Sequence, residues 1–313
     1  MDLCLMIEGQ EDVAWPQWVA IARACEEHHI PALFRSDHYM NLDGQHAERA
    51  ALDAWGTLCA LAALTSSLRL GTMVSPATFR HPSLLAKLVV TADQVSNGRV
   101  ELGLGAGWHE REHEAYGFPF PATATRMEVL EEQLQIVLGS WTETGFSFTG
   151  RHYTLSGLDA RPRPVQQPHP PLIMGGLAGP RSAALAARYA DEYNTVFPTV
   201  EDVRERRARL VEACERQGRE PLPVSVMTGV VVGAGESELR DRVRRVAEKQ
   251  GSDPEALLAE PPAGWIVGTV ESAAEQLAAL REAGVARVMC QHLVHEDLDA
   301  VALIGRELAP RVA

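Results

Sequence analysis

The fold is decided by residues 68–104, which read LRLGTMVSPATFRHPSLLAKLVVTADQVSNGRVELGL. A short apolar run, Leu68–Val74, is followed by an amphipathic stretch, Pro82–Val95, and then by a second apolar run, Arg99–Leu104. Short apolar runs bounded by Gly and Pro are typical of buried strands, and Pro82 stands where the first turn of a helix accepts proline. Two parallel strands need a crossover connection, so this stretch predicts a strand–helix–strand unit.

The same rhythm extends over the rest of the chain in both directions. Further strands are predicted at Leu3–Ile7, Ala32–Phe34, Leu172–Met174, Asp191–Thr195, Val224–Val232 and Arg287–Cys290. Further helices are predicted at Trp15–Glu27, Leu52–Thr65, Arg126–Trp141 and Asp297–Leu308, the last of which closes the chain. Eight strand–helix pairs in 313 residues predict an α/β fold, a (β/α)8 TIM barrel that forms one domain over residues 1–313.

Two segments interrupt the rhythm. Residues 142–171 contain a stretch that alternates like a hairpin and then a Pro-rich run, and residues 250–268 contain Pro261, Pro262 and Trp265. Neither segment is long enough for a domain. We expect both to be insertions at the C-terminal mouth of the barrel, where loops carry function.

Composition excludes several classes of function. The formal net charge is −13, and no dense cluster of Lys and Arg offers a face for nucleic acid. Five widely spaced cysteines without a CxxC pair favour reduced thiols rather than a disulfide framework. No stretch of about 18 apolar residues predicts a membrane span. We expect a cytoplasmic protein that acts on a small molecule.

Polar and glycine residues follow two of the predicted strands. Asp37 and His38 come after the second strand, at the end of a barrel where active sites lie, and a histidine there can move a proton near neutral pH. The alternative is that Asp37 only stabilises a turn and His38 lies on the surface without a functional role. Gly103, Gly105 and Gly107 alternate at the fourth strand and leave the backbone open to a planar ligand, or simply ease the turn into the next loop.

A second glycine-rich turn lies between the fifth strand and its helix. Gly175, Gly176 and Gly179 precede Pro180, which suits a first helical turn, and Arg181 adds a charge. Free backbone N–H groups at such a helix N-terminus can bind a phosphate. A glycine-rich turn without a ligand is the alternative.

Residues 109–113 match the HExxH signature of zinc proteases. On a helix, His109 and His113 would share one face and bind zinc, with Glu110 as general base. The flanks are not those of a core helix, and no third ligand is evident, so zinc hydrolysis through these two histidines is a remote alternative and we predict no metal.

Taken together, these segments resemble the luciferase-like monooxygenase superfamily, particularly the branch that uses the deazaflavin coenzyme F420. The resemblance covers almost the whole chain. It rests on the order and spacing of residues 71–82, 86–87, 93, 96–99, 103–108, 112, 116–117, 126, 130–131, 175–176 and 190–194.

The resemblance implies a set of cofactor-binding residues. Asp37 and His38 would face the ring, and Met73, Val74 and Ser75 would support it from behind through a non-prolyl cis peptide between Met73 and Val74. Trp108 and Arg111 would line the ring and its ribityl chain. The cofactor phosphate would lie on Gly175, Gly176, Gly179 and Arg181.

The resemblance also implies a reaction. Hydride would pass between C5 of the coenzyme and a substrate carbon, with His38 moving the proton and Trp108 beside it as the second catalytic residue. Trp108 stands where the sugar-phosphate dehydrogenases of this branch have an active-site Glu, and Tyr39–Gly44 lacks their downstream Trp. We therefore expect a more apolar substrate than glucose 6-phosphate.

Two other readings of the resemblance stay open. An FMN-dependent monooxygenase would use the same fold and phosphate loop to activate dioxygen. A barrel that has lost its cofactor would serve as an assembly partner. The family also implies a homodimer.

Overall fold

The computed structural model of the protein describes residues 1–44, 46 and 48–313. Eight parallel strands close into a barrel, and around its circumference they follow one another as β1 (Asp2–Ile7), β2 (Ala32–Arg35), β3 (Arg69–Thr72), β5 (Val100–Gly105), β8 (Leu172–Gly175), β9 (Glu192–Val196), β10 (Val224–Gly233) and β12 (Val285–Gln291). Pairing of β12 with β1 and of β9 with β10 completes the circle. The predicted (β/α)8 barrel is confirmed.

Four shorter strands lie outside this circle. Strand β4 (Ser75–Pro76) pairs with β5, and β11 (Ile266–Thr269) pairs in parallel with the last residues of β10. Strands β6 (Phe146–Thr149) and β7 (Thr154–Leu158) form the antiparallel hairpin that the alternating sequence predicts.

Helices connect the strands on the outside of the barrel. They are α1 (Trp15–Glu27), α2 (Ala54–Leu64), α3 (Pro82–Ser96), α4 (Glu110–Tyr116), α5 (Thr123–Thr142), α6 (Pro180–Tyr189), α7 (Val200–Arg216), α8 (Glu236–Gln250), α9 (Pro254–Ala259), α10 (Val270–Glu282), α11 (Leu298–Leu303), a π-helical turn (Ile304–Leu308) and α12 (Ala309–Val312). No helix among the described residues is long and apolar enough to cross a membrane.

Local chemistry explains where the helices depart from their predicted bounds. Helix α2 begins at Ala54 rather than Leu52 because the side chain of Asp53 accepts a hydrogen bond from the amide of Gly56 and so caps the helix. The closing helix widens into a π-helical turn at Gly305, where a β-carbon would lie 2.1 Å from the carbonyl oxygen of His28. Close contact with the end of α1 therefore requires glycine at this position.

The barrel interior changes from charged to apolar along its axis. Near the amino ends of the strands, Arg287 Nη2 lies 2.5 Å from Glu101 Oε2 and its Nε lies 2.9 Å from Glu192, while Arg69 binds Glu101 from a neighbouring strand. Above this ion network lies an apolar layer that fills the middle of the barrel and consists of Cys4, Met6, Ala32, Phe34, Met73, Ile173, Met227 and Met289. The remaining open space is thus at the carboxyl ends of the strands.

The two insertions lie in different places. Residues 142–171 run along the outside of α3 and α5: Glu132 accepts hydrogen bonds from the amides of Arg151 and His152, and Lys87 donates to the carbonyl of Arg161. They line no part of the mouth, so the expected position of this insertion needs correction: its polar groups bind helices instead. The second insertion does reach the mouth, through Trp265.

Candidate active site

A cavity of about 920 Å³ opens at the carboxyl ends of the barrel strands. Its walls are mainly apolar and are formed by Met73, Val74, Pro76, Trp108, Leu177, Val196, Phe197, Met227, Trp265 and Leu293. Polar side chains also face it, namely those of Glu8, Gln10, Glu11, Ser36, His38, Asp43, Arg49, Asn194, Lys249, Gln250, Gln291 and His295. A mostly apolar cleft with a few convergent polar groups is typical of a small-molecule site.

His38 lines this cavity and is held by a carboxylate. Its Nδ1 lies 2.7 Å from Glu112 Oε2, and the other oxygen of Glu112 accepts the amide of Tyr39. Because a carboxylate only accepts hydrogen bonds, Nδ1 carries the proton and Nε2 is the ring nitrogen that can meet a ligand. Burial disfavours the imidazolium, but the hydrogen bond and charge of Glu112 outweigh it, and the pKa of His38 is raised.

A hydrogen-bonded carboxylate stands at the end of β1 in the same cavity. Glu8 accepts Nε2 of Gln291 at 2.7 Å and Nε2 of Gln10 at 2.8 Å. The side-chain oxygen of Gln10 in turn accepts the hydroxyl of Ser36 at 2.6 Å. These bonds join the ends of three adjacent strands, β12, β1 and β2, into one polar wall.

The floor of the cavity is built around Val74. The Met73–Val74 peptide is cis, as the resemblance implies, and both residues line the cavity. Val74 packs against glycines on two neighbouring strands: a β-carbon would lie 2.9 Å from its side chain at Gly103, 2.8 Å at Gly105 and 3.0 Å at Gly175. The alternating glycines therefore make room for a side chain, which in turn lies under the cavity.

Asp37 and Ser75 lie behind this floor rather than on the cavity. Asp37 Oδ2 accepts the hydroxyl of Ser75 at 2.6 Å, and the guanidinium of Arg80 binds both oxygens of Asp37. Both residues are almost fully buried. With these partners, Asp37 and Ser75 hold the chain next to His38 and Val74 in place.

The glycine-rich turn after β8 contributes to the opposite wall. Gly175 and Gly176 line the cavity, and Gly179 caps α6 with no neighbouring heavy atom where a β-carbon would stand. The turn is held by Tyr193, whose hydroxyl accepts the amide of Ala178 at 2.9 Å. This geometry leaves the N-terminus of a ten-residue helix open to an anion.

The charge next to that turn comes from a different arginine than predicted. Arg181 points to the outside, where it donates to the carbonyl of Ala124 and lies 3.9 Å from Glu131. Instead, Arg209 of α7 donates to the carbonyls of Ala178 and Leu177.

Of the two residues predicted to line the ring, Trp108 lies on the cavity and Arg111 does not. Trp108 lines the mouth, is 63% exposed, and meets the ring of His38 edge-on with centroids 5.9 Å apart. Arg111 turns away and donates to the carbonyl of Asn41 at 3.0 Å, beneath Gly44. Arg111 therefore supports the loop after His38, and only Trp108 faces the cavity.

The zinc alternative has no support in the arrangement of its histidines. His113 Nε2 is bonded to Thr78 Oγ1 at 2.6 Å and its Nδ1 to the carbonyl of His109 at 2.7 Å, so both ring nitrogens have protein partners. Within residues 1–44, 46 and 48–313, no group of three or more His, Cys, Asp or Glu side chains could hold a metal ion.

The cavity fits a flat heteroaromatic ring that carries a phosphate. Val74 offers an apolar surface for the ring, the turn at Gly175–Gly179 offers an anion site, and His38 offers a proton in the same cavity. Asn194 lines the same cavity, and its buried Oδ1 has no hydrogen-bond partner in the described chain. A ring N–H or a ribityl hydroxyl would supply one.

The family profile of luciferase-like monooxygenases matches residues 5–287. The chain belongs to this family. It is 27% identical over 285 residues to an FMNH(2)-dependent dimethylsulfone monooxygenase of Pseudomonas putida, covering 81% of this chain and 76% of that one. It is 33% identical over 178 residues to an F420-dependent glucose-6-phosphate dehydrogenase of Amycolatopsis mediterranei, covering 56% of this chain and 51% of that one.

A solved structure shares the fold over its full length. The monooxygenase RslO1 from Streptomyces bottropensis superimposes with a TM-score of 0.83 at 20% identity, covering all of both chains. Relatives in this family are thus monooxygenases and F420-dependent oxidoreductases whose names specify either FMNH(2) or F420, and the protein is an oxidoreductase.

Several cavity residues escaped the sequence analysis. Glu8 and Gln291 directly follow apolar strand residues. A polar residue at the end of a strand had indicated Asp37 and His38 after β2, and the same pattern could have indicated these two residues at the ends of β1 and β12. Glu112 lies within the HExxH string, where the two histidines drew attention instead. Lys249 and His295 lie on a helix and a loop, and no periodic pattern in the sequence indicates that they meet.

Proposed function

We propose that the protein is an F420-dependent oxidoreductase that reduces or oxidises a small, largely apolar carbonyl or alcohol. The observation that carries the proposal is His38, a histidine with a raised pKa that lines an apolar cavity beside a floor suited to a flat ring. Bound deazaflavin would supply the hydride donor or acceptor. In the reductive direction, a carbonyl carbon gains the hydride and its oxygen gains the proton.

His38 is the residue that would move this proton. Glu112 holds Nδ1 and so directs Nε2 as the donor, which passes its proton to the substrate oxygen and leaves a neutral imidazole. Met73 and Val74 would support the ring, Gly175, Gly176 and Gly179 would bind the cofactor phosphate, and Trp108 would cover the mouth next to His38.

A second candidate is an FMN-dependent monooxygenase. It is favoured by the FMNH(2)-dependent dimethylsulfone monooxygenase of Pseudomonas putida, which is matched over a greater length than the F420-dependent relative. The same floor, phosphate turn and histidine would serve it.

Titration of the purified protein with F420 and with FMN, followed by calorimetry, separates the two. We expect tight binding of F420 and weak binding of FMN, and turnover of F420 with a carbonyl or alcohol panel that His38→Asn reduces by about 100-fold or more. Tight binding of FMN alone, with oxygen consumption, would show that the protein is an FMN-dependent monooxygenase instead. A barrel that binds neither cofactor would be the non-enzymatic member. The homodimer stays a prediction, which sedimentation analysis tests.

A further inference from the structure

Lysine is rare in this chain, and one of its lysines lies in the cavity. Of 29 Lys and Arg residues, two are lysines, Lys87 and Lys249. Lys87 is exposed on α3 and donates to the carbonyl of Arg161 on the outside of the barrel. Lys249, at the end of α8, lines the cavity. Almost all other basic side chains of this protein are arginines, so the lysine in the cavity is an exception.

Among the described residues, the ammonium of Lys249 has no direct ion-pair partner. Burial lowers the pKa of Lys249, and the carboxylates of Glu296, Glu11 and Asp12 oppose this shift without contacting Nζ. Nζ of Lys249 lies 3.2 Å from His295 Nδ1, which accepts a hydrogen bond, and burial lowers the pKa of His295 and keeps that ring neutral. In the part of the chain that the structure describes, no carboxylate oxygen lies within 4.0 Å of Nζ. A half-buried charge with a neutral partner retains donors for a ligand.

The neighbouring Arg49, in contrast to Lys249, has a carboxylate partner. Arg49 forms an ion pair with Glu11 and donates through Nη2 to the backbone carbonyl of Lys249 at 3.1 Å. Its charge is compensated, and it positions the last turn of α8. Lys249 is left as the cation that can respond to a ligand on this wall.

This wall is far from the phosphate turn. Strand β1, with Glu11 after it, is the first of the eight barrel strands, and β8, with Gly175 and Gly176, is the fifth, so the two stand on opposite sides of the circle. Lys249 follows β10 and contacts the loop after β12. A cofactor whose phosphate lies on the glycine turn leaves the Lys249 side of the cavity to the substrate.

We propose that Lys249 binds an anionic oxygen-bearing group, a carboxylate or a sulfonate, on an otherwise apolar substrate. The proposal rests on the proposed function in that it takes the ligand on this side to be the substrate. The apolar part of such a molecule would contact Trp265 and Leu293 next to the lysine. Lys249 is a specificity residue that orients the substrate without taking part in the chemistry.

Benzenesulfonate and its neutral analogue benzenesulfonamide are suitable probes because they differ in charge and little in shape. Reductive methylation of the full chain with ¹³C-formaldehyde gives separate dimethyl-lysine NMR signals for Lys249 and Lys87 without loss of charge. We expect benzenesulfonate to shift the Lys249 signal and to leave the Lys87 signal in place. Equal shifts with the sulfonamide would overturn the proposal.

Variants provide a second measurement by calorimetry. Lys249→Met should weaken benzenesulfonate binding by about tenfold or more, because a half-buried ion pair is lost. Lys249→Arg should keep most of the affinity, and Lys87→Met, the matched control, all of it. Wild-type affinity in Lys249→Met would contradict the proposal, and the NMR titration needs no variant if that protein fails to fold.

A cofactor titration separates this proposal from the preceding one. We expect Lys249→Met to bind F420 as the wild type does. A parallel loss of F420 affinity would assign the lysine to the cofactor and overturn the substrate site. If wild-type protein binds benzenesulfonate through Lys249 but binds no F420, the proposed function fails and the anion site stands.

Discussion

At the scale of single residues, the protonation of His38 depends on one carboxylate. Without Glu112, burial would favour the neutral ring and the pKa of His38 would fall. The proposed reduction of a carbonyl would need the protonated ring, so we expect activity below the pKa of His38 and its loss as pH rises through that pKa. Glu112→Gln should move this loss to lower pH and reduce kcat near neutrality by about 10- to 100-fold.

The pH dependence of kcat/KM, measured in the reductive direction, checks this. Glu110→Gln on the same helix is the matched control, because Glu110 is exposed and not bonded to His38. If the Glu112→Gln profile coincided with that of the wild type, Glu112 would have only a structural role.

The sequence indicated His38 at this scale but not its partner. The end of a strand is a local signal, whereas the contact between His38 and Glu112 joins residues 74 positions apart. In the HExxH string, His113 is enclosed by Phe79 and Phe120 and bonded to Thr78. The HExxH sequence alone could not show that Glu112 contacts His38 in the cavity while His113 is buried elsewhere.

At the scale of elements, the glycines of β5 differ in what a side chain would meet. A β-carbon at Gly103 would lie 2.0 Å from the backbone oxygen of Thr72, whereas at Gly105 it would meet only the side chain of Val74. Gly103→Ala should destabilise the fold by about 1–3 kcal/mol, because the backbone cannot yield without disturbing the β3–β5 pair. Gly105→Ala should fold well and push Val74 into the cavity.

Thermal unfolding together with cofactor titration tests this pair of variants. We expect a lowered Tm for Gly103→Ala and, for Gly105→Ala, a nearly unchanged Tm with about tenfold weaker cofactor binding. The reverse order of the two effects would show that Val74 is not the support of the ring. The glycine spacing was visible in the sequence, but the valine that it accommodates was not, since Val74 lies between β3 and β4, well before the glycines in the chain.

At the scale of the whole molecule, Arg287 joins opposite sides of the barrel. It binds Glu101 on β5 and Glu192 on β9, and burial of Glu101 is outweighed by Arg287 and Arg69, so the pKa of Glu101 is lowered. Arg287→Met should destabilise the protein by about 3–5 kcal/mol, because buried carboxylates lose their partner.

The sign of the pH dependence is part of the prediction. In the wild type, the contribution of Glu101 to stability is present above its unfolded pKa and is lost as pH falls through its lowered folded pKa. In Arg287→Met, Glu192 loses the arginine that binds it and Glu101 keeps only Arg69. Protonation then stabilises these buried carboxyl groups, so the deficit in unfolding free energy should shrink from about pH 8 to about pH 5. Urea unfolding at both pH values measures it, with the exposed Arg204→Met as control. A deficit independent of pH would mean that lost packing, not charge, is responsible.

The same unfolding curves test whether residues 1–313 behave as one domain, which the strand–helix rhythm predicted. That rhythm was sufficient for the barrel, because eight amphipathic repeats have few other ways to bury their strands. It could not place the first insertion, whose position depends on bonds from Glu132 and Lys87 rather than on any periodicity.

The scarcity of lysine has a practical consequence for handling the protein. Amine-directed coupling to a solid support would find two lysine side chains, and an anion held in the cavity would shield one of them. Attachment would then run through Lys87 on the outer wall or through the amine of Met1, which precedes β1 at the end of the barrel away from the mouth. Both points of attachment would leave the mouth open to the flowing solution.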